Sequence, residues 1–366
     1  MENLRDQFNL RPDITHLNHG SFGACPKPIF DDYQKWQLEL EKNPVQFFVK
    51  DGIAQLNKSR IALGKFVGCD ADDLVFTMNP SYALNIIAKG FELNEGDEVL
   101  ATDLEYGAMD RTWNYYCKKA GAKYVQQKIT LPLSSKDQIV SEFFKGFTPK
   151  TKAIFISQIT STTALRLPVE EICDVAKEKG LITIVDGAHV PGHIPLDLRS
   201  LKADIYTGAC HKWMLTPKGC SFLYIKKEFQ PFDPLLISWG FEAEMPLGSQ
   251  FIDHHQQQGT RDYSAFLTIP KAMQFRVEND WNTVAEKCRS LVQANANQFS
   301  EAAAGELLCP ISDDFLGQMC AVRINCSDPI RLHDRLYGDY KIEIPVMQQG
   351  DSVFMRYSIN GYNLQE

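Results

Sequence analysis

The 366-residue sequence is poor in features that would assign it to whole classes of protein. It has no run of about 18 uninterrupted apolar residues, so no membrane span is expected. Basic runs are absent too, and 38 Lys+Arg against 46 Asp+Glu leave a net charge of -8, which argues against a nucleic-acid partner. The composition, with 44% hydrophobic and 23% charged residues, is that of an ordinary globular protein.

The ten cysteines are scattered along the chain, and no two of them form a CxxC pair. The first residues also lack the continuous apolar region of a signal peptide. These absences predict reduced thiols and a cytoplasmic protein. No Gly-x-Gly-x-x-Gly follows a predicted strand, which argues against a dinucleotide-dependent dehydrogenase.

Short β-rich apolar runs alternate with helix-like stretches from about residue 70 to 225, a pattern typical of βαβ units around a mostly parallel sheet. Gly121 and Gly180 are expected to end two of the intervening helices. The Pro-, Gly- and Gln-rich stretch after Phe229 indicates an ordered loop or a domain junction. The predicted strands are 74–78, 98–101, 123–128, 153–157, 181–185, 204–207 and 221–225.

Asp186 directly follows the apolar run LITIV and precedes a glycine. In an open α/β sheet, ligands bind outside the carboxyl ends of the strands, so this carboxylate is expected to point into the crevice. An Asp in that place can keep a pyridinium nitrogen protonated, which is what makes pyridoxal 5'-phosphate (PLP) an electron sink. The alternative is a turn or helix N-cap carboxylate.

Lys212 follows a predicted strand within TGACHKWM. A partly desolvated lysine amine forms a Schiff base with a carbonyl cofactor and, once displaced by substrate, acts as a general base at the α-carbon. Lys218 competes by residue type, but its Pro-Lys-Gly setting is typical of an exposed turn. We therefore assign the cofactor amine to Lys212.

The phosphate of PLP requires a cluster of hydrogen-bond donors. The segment MNPSYALN predicts a strand, a turn with Ser81 and Tyr82, and a helix whose N-terminus would face an anion. Thr207 and His211 flank the candidate lysine and would complete the cradle. Taken alone, the segment is equally a strand-to-helix turn with a good cap.

Seven motifs in order carry a family resemblance: LNHGSFG, NPSYALN, DLEYGA, DGAHVPG, TGACHKW with PKG, QGTRDYSAF and MRYSIN. In order and spacing they resemble the class V aminotransferase family of fold-type I PLP enzymes, and isopenicillin N epimerase-like members are the most similar. The resemblance implies an α/β fold, with a mostly parallel seven-stranded sheet in the large domain and a smaller α+β C-terminal domain. Residues 1–25 would pack on the small domain and the substrate mouth, 26–260 would form the large PLP-binding domain, and 261–366 the small domain.

The resemblance also implies roles around the cofactor ring. Lys212 would form the Schiff base, and Asp186 would pair with the ring nitrogen. His189 would lie near the phenolic oxygen, with Thr160 or Ser161 as a polar contact to the same atom. Tyr106, in the position that family members fill with an aromatic residue or histidine, would stack on the ring.

The phosphate and the substrate have implied partners as well. In family dimers a Gly-Thr pair from the neighbouring subunit completes the phosphate site, so a homodimer is expected. Arg356 would grip the carboxylate of an amino-acid substrate as a bidentate fork. The phosphate ligands would be Ser81, Tyr82, Thr207 and His211, joined by Gly259 and Thr260 of the second subunit. The substrate mouth would be lined by Asn18, His19 and Ser21.

Several readings of the reaction stay open at this stage. Epimerisation and transamination share this set of residues, and so does β-elimination by a C–S lyase. A cysteine desulfurase would need a mobile thiol near the substrate carboxylate, whereas Cys288, Cys320 and Cys326 have the surroundings of core residues. A binding protein that keeps the PLP fold without catalysis is a further alternative. His189 and His193 stand four apart, but Pro191 and Gly192 between them argue against a helical metal site.

Overall fold

The computed structural model describes residues 4–230 and 232–364. Strands and helices alternate through the middle of the chain, with mostly helices on either side of that stretch. The strands are β1 Thr15–His16, β2 Leu74–Thr77, β3 Glu98–Thr102, β4 Lys123–Gln127, β5 Thr151–Ser157, β6 Ile182–Asp186, β7 Ile205–Ala209, β8 Ser221–Ile225, β9 Glu306–Leu307, β10 Met319–Ile324, β11 Ile342–Glu343, β12 Val346–Gln349 and β13 Ser352–Ser358. The helices are α1 His19–Phe22, α2 Lys27–Lys42, α3 Pro44–Gln46, α4 Gly52–Val67, α5 Pro80–Gly90, α6 Gly107–Ala120, α7 Lys136–Phe143, α8 Val169–Glu178, α9 Gln250–Gln256, α10 Ser264–Leu267, α11 Ile269–Glu278, α12 Trp281–Ala302 and α13 Pro329–Tyr340.

Seven of the described strands form the central sheet, in the order β2-β8-β7-β6-β5-β3-β4. β8 runs antiparallel to both of its neighbours, and the other pairings are parallel. Each strand lies within a few residues of its predicted position. The α/β fold with a mostly parallel seven-stranded sheet is therefore confirmed.

The central strands are buried on both faces, which explains their continuous apolar sequences. Alternate residues of a strand enter opposite clusters: Val99 and Ala101 pack with α5 and α6, while Leu100 packs on the other side. All three side chains are fully buried. This arrangement places helices over both faces and leaves the carboxyl ends of the strands free to form a site.

Local sequence signals fix where several helices begin and end. The side chain of Asn79 accepts a hydrogen bond from the backbone N–H of Tyr82 at 2.8 Å and caps the start of α5. Gly121 and Gly180 adopt φ values of 70° and 71° just after α6 and α8. Both glycines end their helices as the sequence predicts, because left-handed backbone is available to glycine without a steric penalty.

The C-terminal part contains a second sheet, in the order β12-β13-β10-β9, with antiparallel pairing. The N-terminal segment joins this part of the protein, since β1 pairs with β11 in parallel and Asn18 forms a bridge with Ser358. α12 packs against β10. The predicted small α+β region is thus present.

Helices α10 and α11 pack against α2 and α4 of the N-terminal half. The predicted domain boundaries at residues 25 and 260 stay predictions.

The stretch after Phe229 was expected to be a loop, and its last part is instead helix α9. His254 and His255 lie in this helix and are buried. Earlier in the stretch, Trp239 and Met245 are 85% and 83% exposed.

No helix within residues 4–230 and 232–364 is long and apolar enough to cross a membrane.

Candidate active site

A cavity of about 610 Å³ lies at the carboxyl ends of the central strands. Its size is that of a typical small-molecule site. Residues from both sheets contribute to its wall, which brings together positions up to 335 residues apart in sequence. The sequence-predicted site residues that line it are Ser21, Ser81, Tyr106, Asp186, His189, His211, Lys212 and Arg356.

Lys212 lies in the loop after β7, and its Nζ is 3.1 Å from His189 Nε2. Burial lowers the pKa of Lys212 to about 7, and the positive charge of Arg356 acts in the same direction, while Asp186 opposes it. An amine with that pKa is substantially neutral near pH 7. Only the neutral amine attacks an aldehyde, so this lysine is prepared for covalent bonding to a carbonyl cofactor.

Asp186 is the last residue of β6, and its neighbours across the sheet are Ser157 on β5 and Thr207 on β7. Oδ1 accepts a hydrogen bond from the backbone N–H of Ala188 at 2.9 Å. Burial raises the pKa of Asp186, against the effect of the Ala188 bond and of the Lys212 charge. A cationic ring nitrogen beside this carboxylate would offset that desolvation.

His189 is buried, and its Nδ1 has no hydrogen-bond partner in the described residues. Burial, reinforced by the nearby charge of Lys212, holds the pKa of His189 well below its usual value. The imidazole is therefore neutral, and one ring nitrogen is available to a ligand. His193 instead accepts from the Gln318 backbone N–H and donates to the His189 carbonyl, and the described residues hold no cluster suited to a metal ion.

The turn before α5 contributes Asn79, Pro80 and Ser81 to the cavity wall. Tyr82 does not line the cavity: its N–H is used by the Asn79 cap, and its hydroxyl donates to Gln258 Oε1 at 2.7 Å. Of the residues of this turn in the cavity wall, Ser81 and Asn79 carry side-chain donors.

The two residues that flank the lysine behave differently. His211 lines the cavity, with Nδ1 3.0 Å from the Cys220 carbonyl, and burial lowers its pKa to about 4. Thr207 is buried away from the cavity wall and donates its hydroxyl to the Phe222 carbonyl at 2.7 Å. Of this pair, the structure brings only His211 to the cavity.

Arg356 on β13 is 1% exposed and closes the side of the cavity formed by the C-terminal sheet. Its guanidinium donates to the Ser161 carbonyl, to Ser21 Oγ at 3.0 Å and to Asn18 Oδ1 at 3.4 Å. Nε is buried without a partner in the described part of the chain. Burial lowers the pKa of Arg356 to about 10, so the group stays cationic and is suited to an anion.

His19 and Asn18 lie behind the cavity wall. His19 Nε2 is 3.1 Å from the Lys212 carbonyl and 2.9 Å from Asn360 Nδ2, and Nδ1 is 2.9 Å from the Tyr362 hydroxyl. Asn18 bonds Arg356 through Oδ1 and Glu343 through Nδ2. The two side chains orient residues that line the site.

Three other sequence-predicted residues also lie outside the cavity wall. The Thr160 hydroxyl is 2.7 Å from that of Thr163 and accepts from the Leu165 N–H at 2.8 Å, which shapes the turn before Ser161. Gly259 and Thr260 lie beyond α9, and Thr260 is exposed. Within one chain, the structure does not bring this Gly-Thr pair to the cavity.

Sequence reasoning missed several residues in the wall. Ser157 ends a correctly predicted strand, so its position alone could have identified it. Phe22, Met78, Ile159 and Met347 add an apolar and thioether surface to the cavity. They come from separate elements, and no motif connects them in sequence.

Comparisons with known proteins agree with this geometry. The family described as Aminotransferase class-V matches residues 24–361, and the chain belongs to that family. Isopenicillin N epimerase of Amycolatopsis lactamdurans is 30% identical, over 99% of this chain and 94% of its own. L-cysteine desulfhydrase of Arabidopsis thaliana is 26% identical, over 92% of this chain and 78% of its own.

Solved structures share the fold. A cysteine desulfurase from Thermococcus onnurineus NA1 superposes with a TM-score of 0.83 at 20% identity, covering 100% of this chain and 95% of its own. A C-DES mutant with glycine covalently linked to its PLP cofactor gives a TM-score of 0.83 at 20% identity, covering 99% and 96%. The predicted fold-type I architecture is confirmed.

The family assignment also confirms PLP as the cofactor, and the cavity fits it. Fully buried polar atoms without partners, Nδ1 of His189 and Nε of Arg356, are costly unless a ligand satisfies them. A carboxylate, a poised amine and a helix N-terminus lie around the same space. These groups match a pyridine ring, an aldehyde and a phosphate.

Proposed function

We propose that the protein is a PLP-dependent enzyme, isopenicillin N epimerase-like, that acts at the α-carbon of an amino acid or amino-acid-containing substrate by epimerisation or transamination. One observation carries the proposal: Lys212, Asp186 and Arg356 line a single cavity, with the lysine amine made reactive by burial. The proposal names the reaction more precisely than the family assignment does.

The residues around the ring have distinct proposed roles. Lys212 would hold the cofactor aldehyde covalently, Asp186 would keep the ring nitrogen protonated, and His189 would contact the ring oxygen. Tyr106 stacks on the ring, and its half-exposed side chain in the cavity wall supports this role. Bound PLP supplies an electron sink for the charge that develops at the α-carbon.

The proposed phosphate ligands in this chain are Ser81 and His211, because Tyr82 and Thr207 use their polar groups elsewhere. The substrate carboxylate would bind Arg356, where the unpartnered Nε supports an anion site. Lys212, once free, removes the α-proton as general base.

Epimerisation requires a second proton carrier on the face opposite Lys212. Tyr106 and His19 are two candidates in this chain: Tyr106 lines the cavity, whereas both ring nitrogens of His19 contact other protein groups. This difference supports Tyr106 over His19. A side chain of a second subunit is the remaining candidate.

The second candidate reaction is β-elimination by a PLP-dependent C–S lyase or cysteine desulfurase-like enzyme. The desulfhydrase relative and the desulfurase fold support this class. A desulfurase accepts sulfur on a protein thiol, and no cysteine lies in the cavity wall of the described chain. Cys25 and Cys326 are half-buried elsewhere, and the rest are buried. The structure therefore favours release of sulfide over persulfide transfer within this class, and a non-catalytic PLP-binding role is the remotest alternative.

We also propose a homodimer in which Gly259 and Thr260 of one subunit reach the phosphate site of the other. The position of this pair outside the cavity of its own chain supports the arrangement. The exposed Trp239 and Met245 offer apolar surface nearby in sequence. A cytoplasmic location is proposed because all ten cysteines are free thiols.

The absorbance of the purified protein tests the core of the proposal. We expect a band at roughly 410–430 nm after addition of PLP, since that is the region of lysine-bound cofactor. Lys212→Ala should abolish the band, and Lys218→Ala, the matched control, should keep it. A protein that stays colourless with excess PLP would contradict the proposal.

Three assays on the yellow protein separate the reactions. Incubating single enantiomers of amino acids in deuterated solvent should give both enantiomers with deuterium at the α-carbon if the enzyme is an epimerase. Keto-acid formation would indicate transamination. Sulfide release from cysteine, unchanged when Cys25 and Cys326 are replaced by serine, would instead establish the lyase.

A further inference from the structure

Glu105 is a buried acidic residue next to the cavity that the proposed mechanism does not use. It lies in the turn between β3 and α6, directly before Tyr106. Glu105 is 1% exposed, whereas Tyr106 is 46% exposed and lines the cavity. Two consecutive side chains therefore leave the same turn in opposite directions, one toward the protein interior and one toward the ligand space.

The Glu105 carboxyl makes three hydrogen bonds. Oε2 accepts from the backbone N–H of Ser157 at 2.9 Å and from its hydroxyl at 2.6 Å. Oε1 accepts from the Thr102 hydroxyl at 2.6 Å, and that hydroxyl in turn accepts from the Leu104 N–H at 3.2 Å. The carboxyl thus joins the turn that carries Tyr106 to the end of β5.

The connection ends at a functional part of the sheet. Ser157 lines the cavity, and its neighbour across the β5–β6 ladder is Asp186. A shift of the Glu105 carboxyl would move the turn of Tyr106 relative to the strand ends that carry the acid. The carboxyl therefore sets the spacing between the turn that carries Tyr106 and the strand end that carries Asp186.

Other contacts hold the turn more weakly or from other sides. Gln349 Nε2 donates to the backbone carbonyls of Asp103 and Glu105 at 3.0 and 3.3 Å. The Asp103 side chain accepts from the Ile129 N–H at 2.9 Å. Neither contact reaches Ser157, so Glu105 is the side chain that fixes the turn to the cavity end of β5.

Burying this carboxyl has a clear electrostatic cost. Burial raises the pKa of Glu105 to about 8, and the charge of Asp186 acts in the same direction, whereas the bonds from Ser157 and Thr102 lower it. An apolar side chain here would leave the Ser157 N–H and the hydroxyls of Ser157 and Thr102 without this acceptor. These hydrogen bonds offset part of the cost of burying the carboxyl.

We propose that Glu105 is a positioning residue that holds the Tyr106 ring in place over the cofactor by fastening its turn to Ser157. The inference rests on the proposed stacking role of Tyr106. Glu105 itself touches neither cofactor nor substrate, and it acts through the geometry of its neighbour.

A double-mutant cycle on the PLP-loaded enzyme tests this role. Glu105→Ala and Tyr106→Ala should each lower kcat by on the order of 100-fold, since small misplacements at a reacting centre have effects of that size. The double variant should be no slower than Tyr106→Ala alone, because the tyrosine can no longer be misplaced. The visible circular dichroism of bound PLP should change in the same way in all three variants.

Glu105→Gln keeps one acceptor for Ser157 and should recover most of the activity lost in Glu105→Ala. This variant also serves as the control in case Glu105→Ala does not fold. Asp103→Asn, a change of the same type in the same turn, should alter kcat by less than about threefold. Losses that multiply in the double variant, or an unchanged dichroism in Glu105→Ala, would overturn the inference. A wild-type protein that binds no PLP would instead remove the proposed function, and with it this role.

Discussion

Capture of PLP by the cofactor-free protein is expected to depend on pH through the amine of Lys212. With a pKa of about 7 in place of its usual 10.5, roughly half of the amine is neutral at pH 7. An ordinary lysine would be neutral to less than about 0.1% at that pH, so the reactive fraction differs by on the order of 10³. The capture rate should therefore rise as pH increases through 7 and level off above about pH 8.

The assay mixes cofactor-free protein with saturating PLP and follows absorbance at roughly 410–430 nm by stopped flow, from pH 6.5 to 10. The lower limit keeps most of the cofactor phosphate in its dianionic form, since its second pKa is about 6. Nα-acetyl-lysine, measured in parallel, gives the behaviour of an unperturbed amine. Arg356→Gln removes a positive charge that lowers the Lys212 pKa, so the rise should move to higher pH. A rate that keeps increasing about tenfold per pH unit up to pH 10 would refute the reasoning.

Two further predictions concern the wall of the site and the packing behind it. Arg356→Lys replaces a planar fork by a point charge, so KM for the amino-acid substrate should rise at least about tenfold with a smaller change in kcat, as steady-state kinetics will show. Equal KM values in the wild type and in Arg356→Lys would argue against carboxylate binding by this side chain. In Gly317→Ala the added Cβ would lie 2.3 Å from His193 Nε2, so we expect a loss of about 1–3 kcal/mol in the free energy of unfolding by urea. Gly338→Ala, on α13 with no atom within 4 Å of the new Cβ, should be neutral or stabilising by up to about 1 kcal/mol. Similar losses in both glycine variants would show that the His193 contact is not the cause.

Much of the central sheet could be predicted from the sequence because its strands are covered on both faces and therefore form continuous apolar runs. β6 has this character, and Asp186 at its end and Lys212 in the loop after β7 were found from their positions after a predicted strand. The C-terminal ends of parallel strands meet at one edge, so these local signals were sufficient to place the two side chains in one cavity.

Contacts that depend on competition between hydrogen-bond partners could not be predicted in the same way. Tyr82 and Thr207 have suitable donors for a phosphate, but the Asn79 cap and the Phe222 carbonyl occupy those donors. Helix α9 was also missed, since the Pro- and Gly-rich text before it is typical of a loop. Glu105 gave no signal in the sequence, because the role proposed for it depends on Ser157, a residue of another strand.

The two sides of the cavity come from different sheets of the molecule. The amine and the ring acid come from the central sheet, while Arg356 and Met347 come from the neighbouring strands β13 and β12. On the proposed assignment, activation of the cofactor and selection of the substrate would be encoded in separate stretches of the gene. Exchange of the β12–β13 hairpin between relatives would change the substrate-facing residues and leave the residues around the cofactor unchanged.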